Sequence, residues 1–360
     1  MKPAVRYSAD LETPEPDEAE TIQGLKEALH EVMETVAENE GHAMRSVHAK
    51  NHGYLSATLT VLPDIAPELA QGLFVHPGEH QAILRFSTNP GDILDDSISL
   101  PRGLATKVLG VQGERLPGSE AETTQDFVMV NGPAFSAKSP KQFLGNLKLL
   151  AKTTDRAEWA KKALSAVLRT AEKGLEAVGL ESATLKTLGG SRNVHPLGEA
   201  YYSQTAFRHG EYVAKYAIVP VAPALVRHHS EEIATAGKPD AVREAMGRDA
   251  QEGAMEWELR VQLLRDPESQ PIEDATVEWS QEDSPYLPVA RIRAEPQEAW
   301  TPARNARDDD LRFSPWTGLA AHRPLGGVNR VRKETYADSA AFRERVNRCP
   351  VREPATAEMP

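Results

Sequence analysis

Between residues 16 and 39 apolar side chains recur every three to four positions. Leu25, Leu29, Val32, Met33 and Val36 fall on one stripe with polar and acidic residues between them, which predicts an N-terminal helix. Asp17, Glu18 and Glu20 place negative charge at its start, where the peptide dipoles favour it. From His48 to Gly132 the period changes. Residues 54–62, 82–87, 103–111 and 127–130 are short β-prone runs, separated by Pro- and Gly-rich breaks such as Val75-His76-Pro77-Gly78 and Asn89-Pro90-Gly91. Strands at this spacing, with no helix between them, predict antiparallel pairing in a barrel or sandwich.

Residues 139–152 predict a helix: Ser139 caps it, Pro140 suits its first position, and Phe143, Leu144, Leu147 and Leu150 form its stripe. Residues 157–177 are a second helical stretch. Residues 200–221 read as a hairpin turning at 208–211, residues 241–256 as a helix, and 259–264 and 290–294 as further strands. A short helix after Ser339 leads into a Pro-rich end, and no internal repeat is present. The expected class is α+β, an antiparallel barrel with inserted and flanking helices. Three segments follow: an N-terminal arm and helix (1–40), a barrel domain with helical insertions (41–340) and a C-terminal tail (341–360).

Composition narrows the partners. The 360-residue chain carries a formal charge of −12, and its longest basic run, residues 330–333, is followed at once by Glu334. A surface that tracks phosphates needs a broader positive stripe, so nucleic acid is not an expected partner. An acidic surface does not attract anionic membranes, and no run is long and apolar enough to span one. With no apolar leader and a single cysteine, Cys349, the expected compartment is a reducing cytoplasm. A small, neutral or apolar substrate fits this surface better.

Two histidine pairs, His48/His52 and His76/His80, have i, i+4 spacing. Pro77 and Gly78 interrupt the second pair and Gly53 abuts the first, so neither sits in a good helix, and no third ligand is evident. No metal ligand set is therefore expected from the histidines. His228-His229 reads as a solvated loop. Glycine-rich phosphate loops and nucleophile elbows are absent from the sequence.

The informative pattern is the order of four segments: Arg45-Ser46-Val47-His48-Ala49-Lys50, Leu84-Arg85-Phe86-Ser87, Pro101-Arg102-Gly103-Leu104-Ala105-Thr106-Lys107, and residues 125–131 with Phe135 beyond. In this order and spacing they resemble the distal haem half of the catalase family, loosely over residues 40–340, and look closest to its shorter branch. The resemblance implies a catalase-type barrel and haem b. It makes His48 the distal imidazole that moves a proton between peroxide oxygens, with Ser87 hydrogen-bonded to it. Arg45 and Arg85 would pair with haem propionates. Phe127 and Phe135 would pack on the macrocycle, though both could equally be core, as Arg85 could be a structural ion-pair partner.

Farther on, Arg312-Phe313-Ser314-Pro315-Trp316 followed by His322-Arg323 resembles the family's proximal helix, which carries an arginine, a tyrosine four residues on and an arginine seven further. Arg312 and Arg323 take the arginine positions and Trp316 the tyrosine position. An indole has no lone pair to offer iron, so a missing proximal ligand is expected here, with His322 the nearest substitute. Tyr201 and Tyr202 are read as packing residues. The family's distal asparagine, sought before the strand at 127–130, has no counterpart among residues 120–125. Two functions follow. The first is a haem-dependent catalase- or peroxidase-like oxidoreductase acting on hydrogen or organic peroxide, with His48 as acid–base. The second is a non-enzymatic catalase-fold protein that holds haem or an apolar ligand. Family members tend to assemble, so a homo-oligomer is compatible with both.

Overall fold

Alternation decides which side chains enter the barrel. The computed structural model describes residues 1–151 and 192–360, so the helical stretch expected at 157–177 lies outside the described residues. Nine strands form one antiparallel sheet: β1 (Lys50–Val61), β2 (Gly78–Thr88), β3 (Arg102–Val108), β4 (Gln125–Val130), β5 (Tyr201–Tyr202), β6 (Phe207–His209), β7 (Tyr212–Pro220), β8 (Met255–Leu263) and β9 (Leu287–Ala294). Their order is β5-β4-β3-β2-β1-β9-β8-β7-β6, and β5 also pairs with β7. That extra pairing closes an eight-stranded barrel, with β6 added as a flap on β7. The α+β barrel expected from the sequence is therefore present, and the strand predicted at 259–264 starts earlier, at Met255.

Inward positions of every strand meet in one core. Leu55 and Leu59 of β1, Leu84 and Phe86 of β2, Phe127 and Met129 of β4, Tyr216 of β7 and Trp257 and Leu259 of β8 are all buried in it. The barrel interior is thus filled by side chains, as expected for eight strands. The intervening residues, Ile83, Arg85 and Ser87 on β2 and Val128 and Val130 on β4, point outward because successive side chains alternate.

One end of the barrel is plugged by residues 62–75 and the turn Ala320–His322. Leu69, Leu73 and Phe74 insert into the core. His209 Nε2 lies 3.0 Å from the Leu69 carbonyl, so it carries the proton, and His209 Nδ1 accepts from the Tyr216 hydroxyl (3.2 Å). Tyr216 in turn accepts from His322 Nδ1 (2.8 Å), and His322 Nε2 accepts the Leu73 N–H (2.9 Å). Each nitrogen has one role and one partner. Burial pushes the His209 pKa down to about 4 and that of His322 well below the ordinary value, so both rings are neutral. A Cβ on Gly72 would sit 2.4 Å from His322 Nε2, so this contact demands glycine. His322 is consequently a core residue and no substitute iron ligand.

Helices lie outside the barrel. α1 (Glu18–Glu40) buries Leu25, Leu29, Met33 and Val36, the stripe expected from the sequence, with Val32 only half-buried. It packs on α2 (Pro140–Ala151) and on the long C-terminal helix. A single turn, α3 (Pro223–Val226), and α4 (Ala241–Asp249) follow β7, and α5 (Pro302–Asp310) follows β9. The last helix, α6 (Gly327–Asn347), begins well before Ser339. Arg330 anchors its first turn to Glu12 (2.9 Å), Glu18 (2.7 Å) and Glu273 (2.9 Å). No helix of the described residues is long and apolar enough to cross a membrane.

Candidate active site

His48 sits in the turn before β1 with a left-handed backbone, φ +55°. Its Nδ1 is 3.2 Å from Ser87 Oγ, and its carbonyl accepts from Arg85 at 3.0 Å. The outward phase of β2 supplies both partners. Ser87 pairs in register with Gly103 of β3, which passes beneath the ring. A Cβ on Gly103 would lie 2.6 Å from His48 Nδ1 and 2.9 Å from Ser87 Oγ, and neither belongs to a flexible side-chain end. Gly103→Ala should therefore displace the imidazole and lower stability by roughly 1–3 kcal/mol, the range for overpacking. Thermal melting together with a shift of the His48 imidazole NMR signals checks this.

The imidazole opens onto a cavity of about 430 Å³ on the outer face of β4. Val128 and Val130 of β4 form one wall, Leu25 and Leu29 of α1 another, and Phe135, tilted against Phe143 at 5.2 Å, a third. His48 Nε2 has no hydrogen-bond partner among the described residues. Burial first, then the Arg85 and Arg332 charges, push the His48 pKa down to about 3, so the ring is neutral at ordinary pH.

The facing wall is α6. Val328, Val331, Arg332, Thr335 and Tyr336 recur at helical spacing and line the same cavity as His48. Arg332 donates to the Tyr336 hydroxyl at 3.0 Å. Arg343, two turns on, lines a recess of about 40 Å³ shared with Arg45, Ser339 and Tyr336. Arg332, Tyr336 and Arg343 reproduce the arginine, tyrosine-four-on, arginine-seven-further spacing assigned in the sequence to 312, 316 and 323. The segment 311–319 cannot be that helix, because Pro315 and Gly318 interrupt it and it runs as extended chain and turn. Trp316 is half-buried outside the cavity, its indole N–H donating to the Asn329 carbonyl (2.7 Å) with Lys333 over its ring. Arg312 pairs with Glu353 (3.4 Å) and Glu122. Arg323 reaches Glu12 (2.9 Å) and the Tyr7 hydroxyl (3.2 Å) in the N-terminal arm.

Other predicted contacts also move. Phe127 faces the barrel core, 5.2 Å from the Tyr216 ring, because alternation turns Val128 and Val130 toward the cavity instead. Phe135 does line the cavity. Tyr201 is a packing residue, hydrogen-bonded to Pro196 O at 2.8 Å, whereas Tyr202 lines the cavity. Arg45 (3.2 Å) and Arg85 (2.6 Å) converge on Asp308 of α5, which also accepts from the Tyr54 hydroxyl (2.7 Å). Burial acts to raise the Asp308 pKa, but the Arg85 and Arg45 charges and these hydrogen bonds hold it down, to about 2. The amide sought before β4 is found after it: Asn131 lines the cavity beside His48.

The histidine pairs noted in the sequence do not assemble. His52 Nε2 is taken by Thr88 Oγ1 (2.5 Å) and His80 Nδ1 by the Leu109 carbonyl (3.1 Å). His195, His228 and Asp249 do converge, their donor atoms within 4.8 Å of one another, and His228 is buried rather than solvated. His195 Nε2 is bonded to Asp249 (2.8 Å), and Arg227 and Arg248 donate to His228 and Asp249. Two guanidiniums already fill the cation's place, so the cluster is a structural ion network.

No family model matches the chain, and no curated protein does. Solved structures do match. A fungal catalase aligns with a TM-score of 0.60 at 17% identity, over 91% of this chain and 67% of that one. Catalase A from Saccharomyces cerevisiae gives 0.62 at 18%, over 99% and 71%, and a bacterial catalase 0.59 at 16%, over 98% and 66%. The chain thus has the catalase fold while spanning about two-thirds of the length of these enzymes.

Proposed function

We propose that this chain is a haem-dependent catalase- or peroxidase-like oxidoreductase, with His48 and Tyr336 on opposite walls of its cofactor site. A macrocycle with two carboxylates needs an apolar slot, an axial donor and cations at one edge. Valines, leucines and Phe135 supply the slot, the Tyr336 oxygen the donor, and Arg45 and Arg343 the cations. The volume lies within the usual range for small-molecule and cofactor sites. The residues fit the group. The observation that carries this reading is the shared cavity of His48 and an arginine-bonded tyrosine. It replaces the missing ligand expected from Trp316, and with it the reason to favour a non-enzymatic barrel.

Haem, when bound, would supply the redox centre, with a tyrosine ligand of the catalase kind. The protein's own part is proton handling and placement. With Nδ1–H donating to Ser87 Oγ, His48 Nε2 carries a lone pair and can take a proton from an incoming peroxide. A weakly basic ring gives that proton back readily. The Asn131 amide would hold the peroxide oxygen beside Nε2. Arg332, donating to the phenol oxygen of Tyr336, fixes the position of that oxygen.

Haem reconstitution tests this. Loaded protein should show an intense Soret band and turn over hydrogen peroxide, and His48→Ala should keep the band while losing about 10²–10⁴-fold in rate, the usual contribution of a positioned acid–base group. Failure to take up haem by any route would sink the reading.

A further inference from the structure

We propose that Glu199 is a positioning residue of this cavity: its carboxylate fixes the Asn131 amide, and its protonation sets the acid limit of turnover. This rests on the cavity being the peroxide site. Asn131 is held at both ends. Its Oδ1 accepts the Arg102 backbone N–H at 2.7 Å, and its Nδ2 donates to Glu199 Oε2 at 3.2 Å. A flipped amide would set oxygen against a carboxylate and N–H against N–H, so one orientation wins. The second Nδ2 hydrogen has no partner among the described residues and is left for a ligand in the cavity that Asn131 lines.

A prop alone needs no charge. A glutamine at 199 would also accept from Asn131, more weakly than a carboxylate but without an ionisable group in a half-buried position. Burial raises the proton affinity of Glu199, and the Asn131 hydrogen bond opposes that rise. Arg102 lies behind it, Arg192 and His229 line the cavity on its open side, and Tyr201 and Tyr202 adjoin it along the chain. His48, already neutral, cannot titrate in the working range. Glu199 can. Its ionised form is the better acceptor for Asn131, so protonation loosens the amide.

The test compares haem-loaded wild-type, Glu199→Gln and Glu199→Asp proteins from pH 4 to 8, with melting of the unloaded chains alongside. In the wild type, kcat/KM for hydrogen peroxide should fall about tenfold per pH unit below the Glu199 ionisation. Glu199→Gln presents a neutral acceptor at every pH, so its acid limb should vanish and its kcat/KM should stay flat at the low level that the wild type reaches in acid. Glu199→Asp must retain a limb. Unloaded Glu199→Gln should melt higher than wild type at neutral pH. A raised folded pKa means that stability is full below the unfolded value and lost as pH rises through the folded one, so the gap should close on acidification. An unchanged acid limb in loaded Glu199→Gln overturns the role of Glu199 and leaves the haem site standing. A wild-type chain that takes up no haem overturns the site and this proposal together.

Discussion

Tyr336→Phe protein should hold haem at least about 100-fold less tightly than the parent chain, and its Soret band should move. Removing a partner of a ligand typically costs 10–100-fold, and removing the donor atom costs more. Phenylalanine keeps the ring and its packing on α6, so the loss reports the oxygen alone. Arg332→Leu should cost on the order of tenfold, since it removes the hydrogen bond to that oxygen and leaves the oxygen itself in place. Trp316→Phe is the control. Its indole meets the Asn329 carbonyl and Lys333 outside the cavity, so haem uptake should stay within about twofold of the parent. Titration of unloaded protein with haem separates the three. Equal affinities for the parent and Tyr336→Phe would remove Tyr336 from the site.

Asp308→Ala should destabilise the chain by about 3–5 kcal/mol, because it strands buried guanidiniums without a counter-charge. Arg85 is 2% exposed, and Arg45, Arg85 and the Tyr54 hydroxyl all meet Asp308 Oδ1. Chemical denaturation at neutral pH gives the magnitude. The pH dependence gives the mechanism. The folded pKa of Asp308 is held down near 2. Its stabilisation is therefore complete above the unfolded aspartate value, about 3.9, and drains away as pH falls from there through the folded value. Asp308→Asn should lack that acid-sensitive component. If the stability of wild type and Asp308→Asn fell in parallel from pH 5 to 2, the carboxylate would not be the counter-charge for these arginines.

Much of this architecture was legible in the sequence because it is local. The three-to-four period of Leu25, Leu29, Met33 and Val36 and the strand runs between 54 and 130 each fix an element from neighbouring residues. The His48–Ser87 contact was implied by the family resemblance, and the direct pairing of the consecutive strands β1 and β2 brings the two residues together. What failed was non-local or a matter of phase. Phe127 and Val128 are adjacent and both apolar, and only the closed barrel decides which one enters the core. Arg45 and Arg85 find Asp308 more than two hundred residues away, a partner no spacing announces. The arginine–tyrosine–arginine spacing was assigned to the wrong segment despite a usable signal: Pro315 and Gly318 argue against a helix at 312–323, whereas residues 327–343 hold none of these breakers after Gly327 and carry that spacing. Asn131 was missed because it was sought on the wrong side of β4.

The cavity lies against the outside of the barrel wall, while the barrel itself is closed and filled by its own side chains. Emptying the site thus removes no part of the hydrophobic nucleus. Occupancy and unfolding become separable equilibria, joined only by mass action, in which a ligand at 100 times its dissociation constant adds roughly 2.7 kcal/mol. The chain has the means to persist folded whether this cavity is filled or empty, rather than condensing around an occupant.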